Sequence, residues 1–241
     1  MEMKREKQHV LFRFSNQGFT MVELLVAMVV SLLALAAIYS TFLAQHRSYQ
    51  VQEEAAKMQQ NIRTAMYYME REIRMAGSNP FKSLPLSAFG ITAAGQNSIR
   101  FTEDVRSGIP PVKGPPDGFV NINNVPDEDI TYALNGTDLV RTDNNIPIGN
   151  PNRDQVVAQN IDWLDFVYLK DDGTVTATLA DIRSVEITIV ARTDDPLLYG
   201  TTNTKVYWNQ QGTASWTPPA PGDNVSRRLL TTLINCRNLN L

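Results

Sequence analysis

Apolar residues are concentrated in one stretch near the start of the chain. Residues 24–38, LLVAMVVSLLALAAI, contain a single polar side chain, that of Ser31. Extended to Phe19–Leu43, the stretch has 25 residues, enough for a tilted helix to cross about 30 Å of hydrocarbon. The mostly polar residues before it include four cations, Lys4, Arg5, Lys7 and Arg13. These favour a cytoplasmic N-terminus, so we predict a membrane helix over 19–43 with the rest of the chain across the membrane.

A helical pattern of a different kind follows the apolar stretch. No proline or glycine interrupts residues 19–76, whereas Gly77 and Pro80 are typical of a helix end. We therefore predict one helix to about Ala76, with residues 44–77 as its amphipathic half. Its apolar stripe, at spacings of three and four, is Met58, Ile62, Ala65, Met66, Met69, Ile73 and Ala76. The predicted i,i+4 ion pairs on its other faces are Glu53/Lys57 and Glu70/Arg74.

Beyond residue 77 the pattern of apolar and polar residues becomes typical of β-strands and turns. Residues 78–128 are interrupted by prolines and predict one strand, Ser98–Thr102. Asn135-Gly136 separates an alternating run from residues 138–142 and predicts a hairpin. A second predicted hairpin runs from strand 163–169 through a turn at 171–173 into strand 174–179. The remaining predictions are a half-exposed strand over 185–192, a short hairpin around 206–208 and a closing strand over 227–238. The predicted fold is α+β: a long N-terminal helix, half membrane-spanning and half amphipathic, packed on an antiparallel β-sheet head of residues 78–241.

Composition and charge exclude several function classes. The chain has 241 residues and a net charge of −3, which fits one domain with an appendage and gives no basic excess for nucleic acid. Cys236 is the single cysteine, so no internal disulfide is possible, and we expect a buried, inert thiol. The two histidines, His9 and His46, lie outside the head, so a histidine-based catalytic site there would need another subunit.

No catalytic or cofactor motif was found in the chain. Acidic runs such as 171–173 lack the spacing of a calcium loop and are more typical of turns. We expect no enzyme activity, no cofactor and no metal. The tryptophans Trp208 and Trp216, flanked by polar loop residues, are weak candidates for a surface-binding patch.

Glu23 directly precedes the apolar stretch of residues 24–38, where an ionisable group is energetically costly and usually functional. One interpretation is a cleaved secretory signal, for which Ala34-Leu35-Ala36 fits the cleavage rule. Another is a plain membrane anchor. Neither of these two interpretations explains Glu23.

A third interpretation comes from residues 18–27, GFTMVELLVA, which resemble the prepilin N-terminal motif of type IV pilins and type II secretion pseudopilins. The resemblance implies a leader of residues 1–18, cleavage after Gly18 and N-methylation of Phe19 by a membrane peptidase. The helix then stays on the protein as a membrane anchor and later as filament core. The resemblance also implies that Glu23 pairs with the Phe19 amine of a neighbouring subunit. The alternative is a Glu23 that reaches toward lipid headgroups.

Other segments resemble PilW-type minor pilins: residues 59–77, 130–141, 159–173 and 227–239. The resemblance implies a non-enzymatic minor pilin that initiates the filament or lies at its tip. Its implied partners are the prepilin peptidase/methyltransferase, other major and minor pilins through the N-terminal helix, and the inner-membrane assembly platform. Its implied location is the inner membrane, single-pass with a periplasmic head, and then the pilus. A J-type pseudopilin of type II secretion is the close alternative. A membrane-anchored periplasmic binding protein or enzyme is the alternative from another class.

Overall fold

The computed structural model describes residues 18–80, 89–105, 116, 120, 126–194, 203–220 and 222–240. By packing, the chain divides into two compact units, residues 1–50 and 51–241, which are described separately. The helix α1, Met21–Ile73, has residues in both units. The predicted leader, residues 1–18, and His9 lie outside the described residues, except for Gly18.

The first unit, over residues 18–50, is almost entirely helix. Hydroxyls in its apolar stretch bond back to the helix: Ser31 Oγ donates to the Ala27 carbonyl at 2.7 Å, and Thr41 Oγ1 donates to the Ala37 carbonyl at 2.9 Å. Such back-bonding lets a hydroxyl lie in an apolar helix without an outside partner. From Met21 to Phe42 the large apolar side chains are exposed.

In the second unit, α1 buries the predicted apolar stripe, from Met58 to Ala76, in the core. The helix ends at Ile73, three residues earlier than predicted, because the next residues form tighter i→i+3 bonds. Gly77 then turns the chain with a φ of +83°. A Cβ at Gly77 would lie 2.8 Å from Leu239 Cδ2 and 3.3 Å from the Asn238 carbonyl oxygen, so glycine is required both by conformation and by space.

Five antiparallel strands form the first sheet, in chain order. They are β1 (Gly90–Ala94), β2 (Ser98–Thr102), β3 (Asp129–Asn135), β4 (Asp138–Asp143) and β5 (Asp154–Ala158). The predicted strand over 98–102 and the predicted hairpin are confirmed. The turn is Gly136-Thr137, one residue later than the Asn-Gly pair, with Gly136 at a φ of +62°. The prediction missed β1 and β5.

Three antiparallel strands form a second sheet, in the order β10-β7-β6. They are β6 (Ile161–Leu169), β7 (Ser184–Arg192) and β10 (Arg227–Asn235). A small hairpin pairs β8 (Tyr207–Trp208) with β9 (Ser215–Trp216), close to the predicted position. Short 3-10 helices cover Leu179–Asp181 and Arg237–Asn240. The α+β class is confirmed, with two main sheets in place of the single one predicted.

The predicted strand over 174–179 is wrong. Only one isolated bridge forms, between Leu169 and Val175. The Asp172 carboxylate accepts the Thr174 N–H at 2.9 Å, as expected of turn chemistry, and the Thr176 hydroxyl accepts the Thr178 N–H at 3.1 Å. The Asp172 bond belongs to the turn after β6, and the Thr176 bond bends the chain locally just after Val175, so the pairing does not continue as a strand.

The prediction that the 185–192 strand is half-exposed is also wrong. The first eight residues of β7 are buried on both faces. The segment around the β8–β9 hairpin covers the second face: Glu186 accepts the Gln210 N–H at 3.1 Å and Gln211 Nε2–H at 2.9 Å. Polar residues at alternate positions therefore face a second, polar layer rather than water.

Candidate functional site

Gly18, Phe19 and Thr20 precede the helix and are all exposed. The side chain of Phe19 is 88% accessible. The peptide bond between Gly18 and Phe19 therefore lies in non-helical chain two residues before α1 begins. Such exposed, irregular segments are where proteases cut most readily.

Thr20 and Glu23 form a capping box at the start of α1. The Glu23 N–H donates to Thr20 Oγ1 at 3.2 Å, while Glu23 Oε2 accepts the Thr20 N–H and the Thr20 hydroxyl, each at 2.9 Å. Two otherwise unsatisfied N–H groups of the first turn are thereby bonded reciprocally. The negative charge also lies at the positive end of the helix dipole.

The capping role of Glu23 was not predicted, although its signal is visible in the sequence. A threonine followed three residues later by glutamate, directly before an apolar run, is the usual mark of a capping box. Both bonds from Thr20 use Oε2, so Oε1 can still accept another donor. The pairing of Glu23 with a neighbouring amine stays a prediction.

Within the described residues, α1 is the one helix long and apolar enough to cross a membrane. None of its most apolar 18-residue window is buried against the rest of the protein. A secretory signal has similar length and composition, so the motif rather than the hydropathy separates the two interpretations.

Comparison with known families finds a match to the prokaryotic N-terminal methylation motif over residues 13–39. The match includes Gly18, Phe19 and Glu23. It supports a type IV pilin-like protein and implies processing by a prepilin peptidase. It does not distinguish PilW-type from J-type proteins.

Eight chains of solved structures match the protein, among them a type IV-like pilin from Thermus thermophilus. The two share 14% sequence identity over 76% of this chain and 97% of that one, with a TM-score of 0.48. Among curated proteins, none matches significantly.

A buried polar cluster joins the end of α1 to the five-stranded sheet. Arg141 Nε donates to Glu72 Oε2 at 2.9 Å, and an Arg141 Nη2–H reaches Asp127 Oδ1 at 2.9 Å. The Tyr132 hydroxyl donates to the same Glu72 oxygen at 2.7 Å. Burial and the nearby Glu72 charge raise the pKa of Tyr132, so the phenol remains a hydrogen-bond donor.

Glu103 belongs to the same cluster and is 5% exposed. Burial raises the pKa of Glu103 to about 8, and the negative charge of Glu72 acts in the same direction. The positive charge of Arg141 lowers the pKa of Glu103 and so offsets part of this increase. At neutral pH, Glu103 is therefore largely protonated, because burial and the charges of Glu72 and Asp127 outweigh the positive charges of Arg141 and Arg71.

The remaining candidates for a chemical or binding role are metal-ligating side chains, Cys236, Trp208 and Trp216. In the part of the chain that the structure describes, no group of three His, Cys, Asp or Glu residues is placed to hold a metal. Cys236 is 2% exposed, as predicted, and burial raises the pKa of its thiol to about 12. Trp208 is 56% exposed, whereas the ring of Trp216 lies 5.1 Å from the Arg227 guanidinium.

Proposed function

We propose that this chain is a minor pilin, a non-enzymatic subunit cut after Gly18, methylated on Phe19 and incorporated into a type IV pilus. The supporting observation is the match of residues 13–39 to the N-terminal methylation motif. Before assembly, residues 19–43 hold the protein in the inner membrane, with residues 78–241 as a periplasmic head. The prepilin peptidase, the other pilins and the assembly platform are its partners.

The position of Glu23 supports an electrostatic assembly step. Cleavage exposes a positive Phe19 amine next to the positive end of the helix dipole. A carboxylate in an apolar bundle needs an opposite charge. Glu23 Oε1 is available to accept the amine of an adjacent subunit while Oε2 keeps its bonds to Thr20. This pairing draws the subunit out of the bilayer and sets its axial register.

A Glu23→Ala variant tests this step. We expect membrane insertion and leader removal to be retained, with incorporation into sheared pili reduced at least tenfold, as measured by immunoblot of pili against membranes. Glu53→Ala is the matched control, because Glu53 is an exposed acid further along the same helix. Normal incorporation of Glu23→Ala would remove Glu23 from assembly.

Mass spectrometry of the mature N-terminal peptide tests the proposed class. A methylated Phe19 is the expected result. A chain that begins at Ala37 would show ordinary secretion, and an intact leader would show a plain anchor. Either result would overturn the proposal and leave a membrane-anchored or secreted binding protein or enzyme as the alternative.

The proteins that co-purify with the chain test whether it belongs to a type IV pilus or to a type II secretion system, and where in that assembly it lies. Other minor pilins at low, equal stoichiometry are expected for a tip or initiation complex, a position suited to a large head. Secretion pseudopilins in their place would favour the J-type alternative. One copy per shaft repeat would contradict the tip position.

A further inference from the structure

The strand β10, Arg227–Asn235, is an end strand of the three-stranded sheet and pairs with β7 along its whole length. All its residues follow one antiparallel register without a shift. Just outside the strand, the Thr193 N–H donates to the Ser226 carbonyl at 2.9 Å, and the Cys236 N–H donates to the Arg183 carbonyl at 3.0 Å. Both pairs continue the same register, so the even-numbered residues of β10 are the ones that bond to β7.

The odd-numbered residues of β10 therefore direct their N–H and C=O groups away from β7, toward the outer edge of the sheet. These residues are Arg227, Leu229, Thr231, Leu233 and Asn235. In the part of the chain that the structure describes, no other group bonds to these backbone atoms. Leu233 and Asn235 are exposed, and Leu229 and Thr231 are half-buried, so the edge is accessible over most of its length.

The other edges of the two main sheets have a feature that discourages pairing with another chain. The edge strands β1, β5 and β6 each contain one extra residue relative to their neighbour, namely Thr92, Val157 and Asp162. Such bulges twist an edge and interrupt its ladder of hydrogen bonds. β6 is also covered, because the Phe166 N–H donates to the Gln96 carbonyl at 2.7 Å. Among the four edge strands that the structure describes in these sheets, β10 alone has no bulge, and it contains no proline.

The charges of β10 are confined to its first two residues. The Arg227 guanidinium is held in ion pairs with Asp162 and Asp223, and its side chain is 1% exposed. Arg228 is exposed and forms no ion pair with any residue that the structure describes. Residues 229–235, LLTTLIN, carry no charge. A regular, uncharged strand with an accessible edge is a template on which another strand can pair.

We propose that β10 binds an extended segment of another polypeptide, which adds to the sheet as a fourth strand antiparallel to β10. The backbone of the segment bonds to the outward N–H and C=O groups of Leu229, Thr231 and Leu233. The segment is apolar at the positions opposite these residues, and it has an acidic residue at its C-terminal end, which lies beside Arg228. A second copy of β10 does not meet this description, because β10 contains no acid. The site lies in the head and does not depend on the proposed assembly role.

Hydrogen exchange followed by nitrogen-15 NMR, on the full mature chain in detergent micelles, tests whether the edge is open. We expect the amides of Leu229, Thr231 and Leu233 to exchange roughly a hundredfold faster than those of Leu230 and Thr232, which bond to β7. Equally slow exchange of all five amides would overturn the proposal, because the outer edge would then be covered by the chain itself.

A capped seven-residue peptide, acetyl-Thr-Val-Thr-Val-Thr-Val-Asp-amide, is the binding probe. In the proposed register its valines lie opposite Leu229, Thr231 and Leu233, and its aspartate lies beside Arg228. We expect saturable shifts of the three odd-numbered amides, together with their protection from exchange. The absence of a saturable shift would overturn the proposal.

Two N-methylated forms of the peptide show whether its backbone makes the contact. N-methylation of the three valines removes the N–H groups that face β10, so it should weaken the affinity about tenfold or more. N-methylation of the three threonines is the matched control, because those N–H groups face away from β10 and the affinity should change by less than about threefold. Equal affinities of the two forms would contradict strand addition.

Substitutions in β10 test the same edge from the protein side. Leu233→Pro removes one outward N–H and no bond to β7, so it should weaken the affinity about tenfold, whereas Leu233→Thr keeps the N–H and should weaken it less. Arg228→Gln should weaken the affinity about two- to fivefold, as expected for an exposed ion pair. Unchanged affinity in Leu233→Pro would contradict the site. If Leu233→Pro fails to fold, the two N-methylated peptides decide the question.

Sedimentation of the chain without peptide tests the rival occupant, a second copy. We expect no dimer that depends on β10. A dimer that forms in the wild type and is lost in Leu233→Pro would assign the edge to a second copy and overturn the proposal.

Discussion

The two halves of α1 differ in where their apolar side chains find partners. From Met21 to Phe42 the large apolar residues are exposed, and the hydroxyls among them bond back to the helix itself. From Met58 onward the apolar stripe is fully buried against the two sheets of the head. The first half therefore needs an apolar environment from outside the chain, lipid or other helices, whereas the second half has its own core.

The largest effect is expected at the polar cluster that joins the second half to the sheet. Arg141→Met leaves the largely buried carboxylate of Glu72 without its guanidinium partner. We expect a loss of about 3–5 kcal/mol in the free energy of unfolding, from the cost of an uncompensated buried charge. Chemical denaturation in detergent micelles measures this loss.

Lys170→Met is the control for that change. Lys170 pairs with Asp181 at 3.6 Å, and both side chains are more than 40% exposed. Removal of an exposed pair should change stability by less than about 1 kcal/mol. Equal effects of the two variants would show that the Arg141 cluster does not hold the helix to the sheet.

Two substitutions to alanine, one in each half of α1, compare the two halves directly. Ile73→Ala opens a cavity in the core of the head and should cost about 2–5 kcal/mol. Leu32→Ala removes a comparable side chain that is 62% exposed, and it should change the unfolding of the head by less than about 0.5 kcal/mol. Thermal unfolding followed by near-UV circular dichroism compares them. A large effect from Leu32→Ala on the head would contradict the contrast between the halves.

The helix was predictable because its physical signals are local. The stripe from Met58 to Ala76 was read from spacing alone, and the closing strand was placed within three residues of its observed end, Asn235. The burial of both faces of β7 was not predictable from its alternation. That burial depends on Gln210 and Gln211, which lie more than twenty residues later in the chain and contact Glu186.

The edge strands and the cluster were missed for related reasons. β5 is mostly exposed, so it has no apolar alternation to detect. Glu72, Glu103 and Arg141 are each ordinary in sequence, and only the fold brings them together. By contrast, a role for Gly18, Phe19 and Glu23 could be predicted because their motif is continuous in the chain.

A smaller, pH-dependent effect is expected from Glu103. Burial and the charges of Glu72 and Asp127 raise its pKa to about 8, against the lowering effect of Arg141 and Arg71. The folded state therefore holds a proton that the unfolded state loses above its own, ordinary pKa. Stability should fall as pH rises from about 4.5 to about 8 and then level off.

Glu103→Gln should remove this part of the pH dependence. Glutamine is neutral at every pH, so the variant does not lose stability as the pH rises. Its free energy of unfolding relative to the wild type should therefore increase by about 2–4 kcal/mol from pH 5 to pH 9, at roughly 1.4 kcal/mol per pKa unit, reduced by relaxation of the structure around Glu103. Urea denaturation at a series of pH values measures the gain. Parallel pH profiles for the variant and the wild type would show that Glu103 is ionised in the folded protein.

The smallest effect is expected at the capping box, where the first half of α1 begins. Thr20→Val removes the hydroxyl that accepts the Glu23 N–H and donates to Glu23 Oε2. It should weaken the helix start by about 1 kcal/mol, whereas Thr20→Ser keeps the hydroxyl and should change little. Hydrogen exchange of the first-turn amides in micelles measures the fraying. If Thr20→Val exchanges no faster than Thr20→Ser, the hydroxyl bonds between Thr20 and Glu23 do not stabilise the first turn of α1.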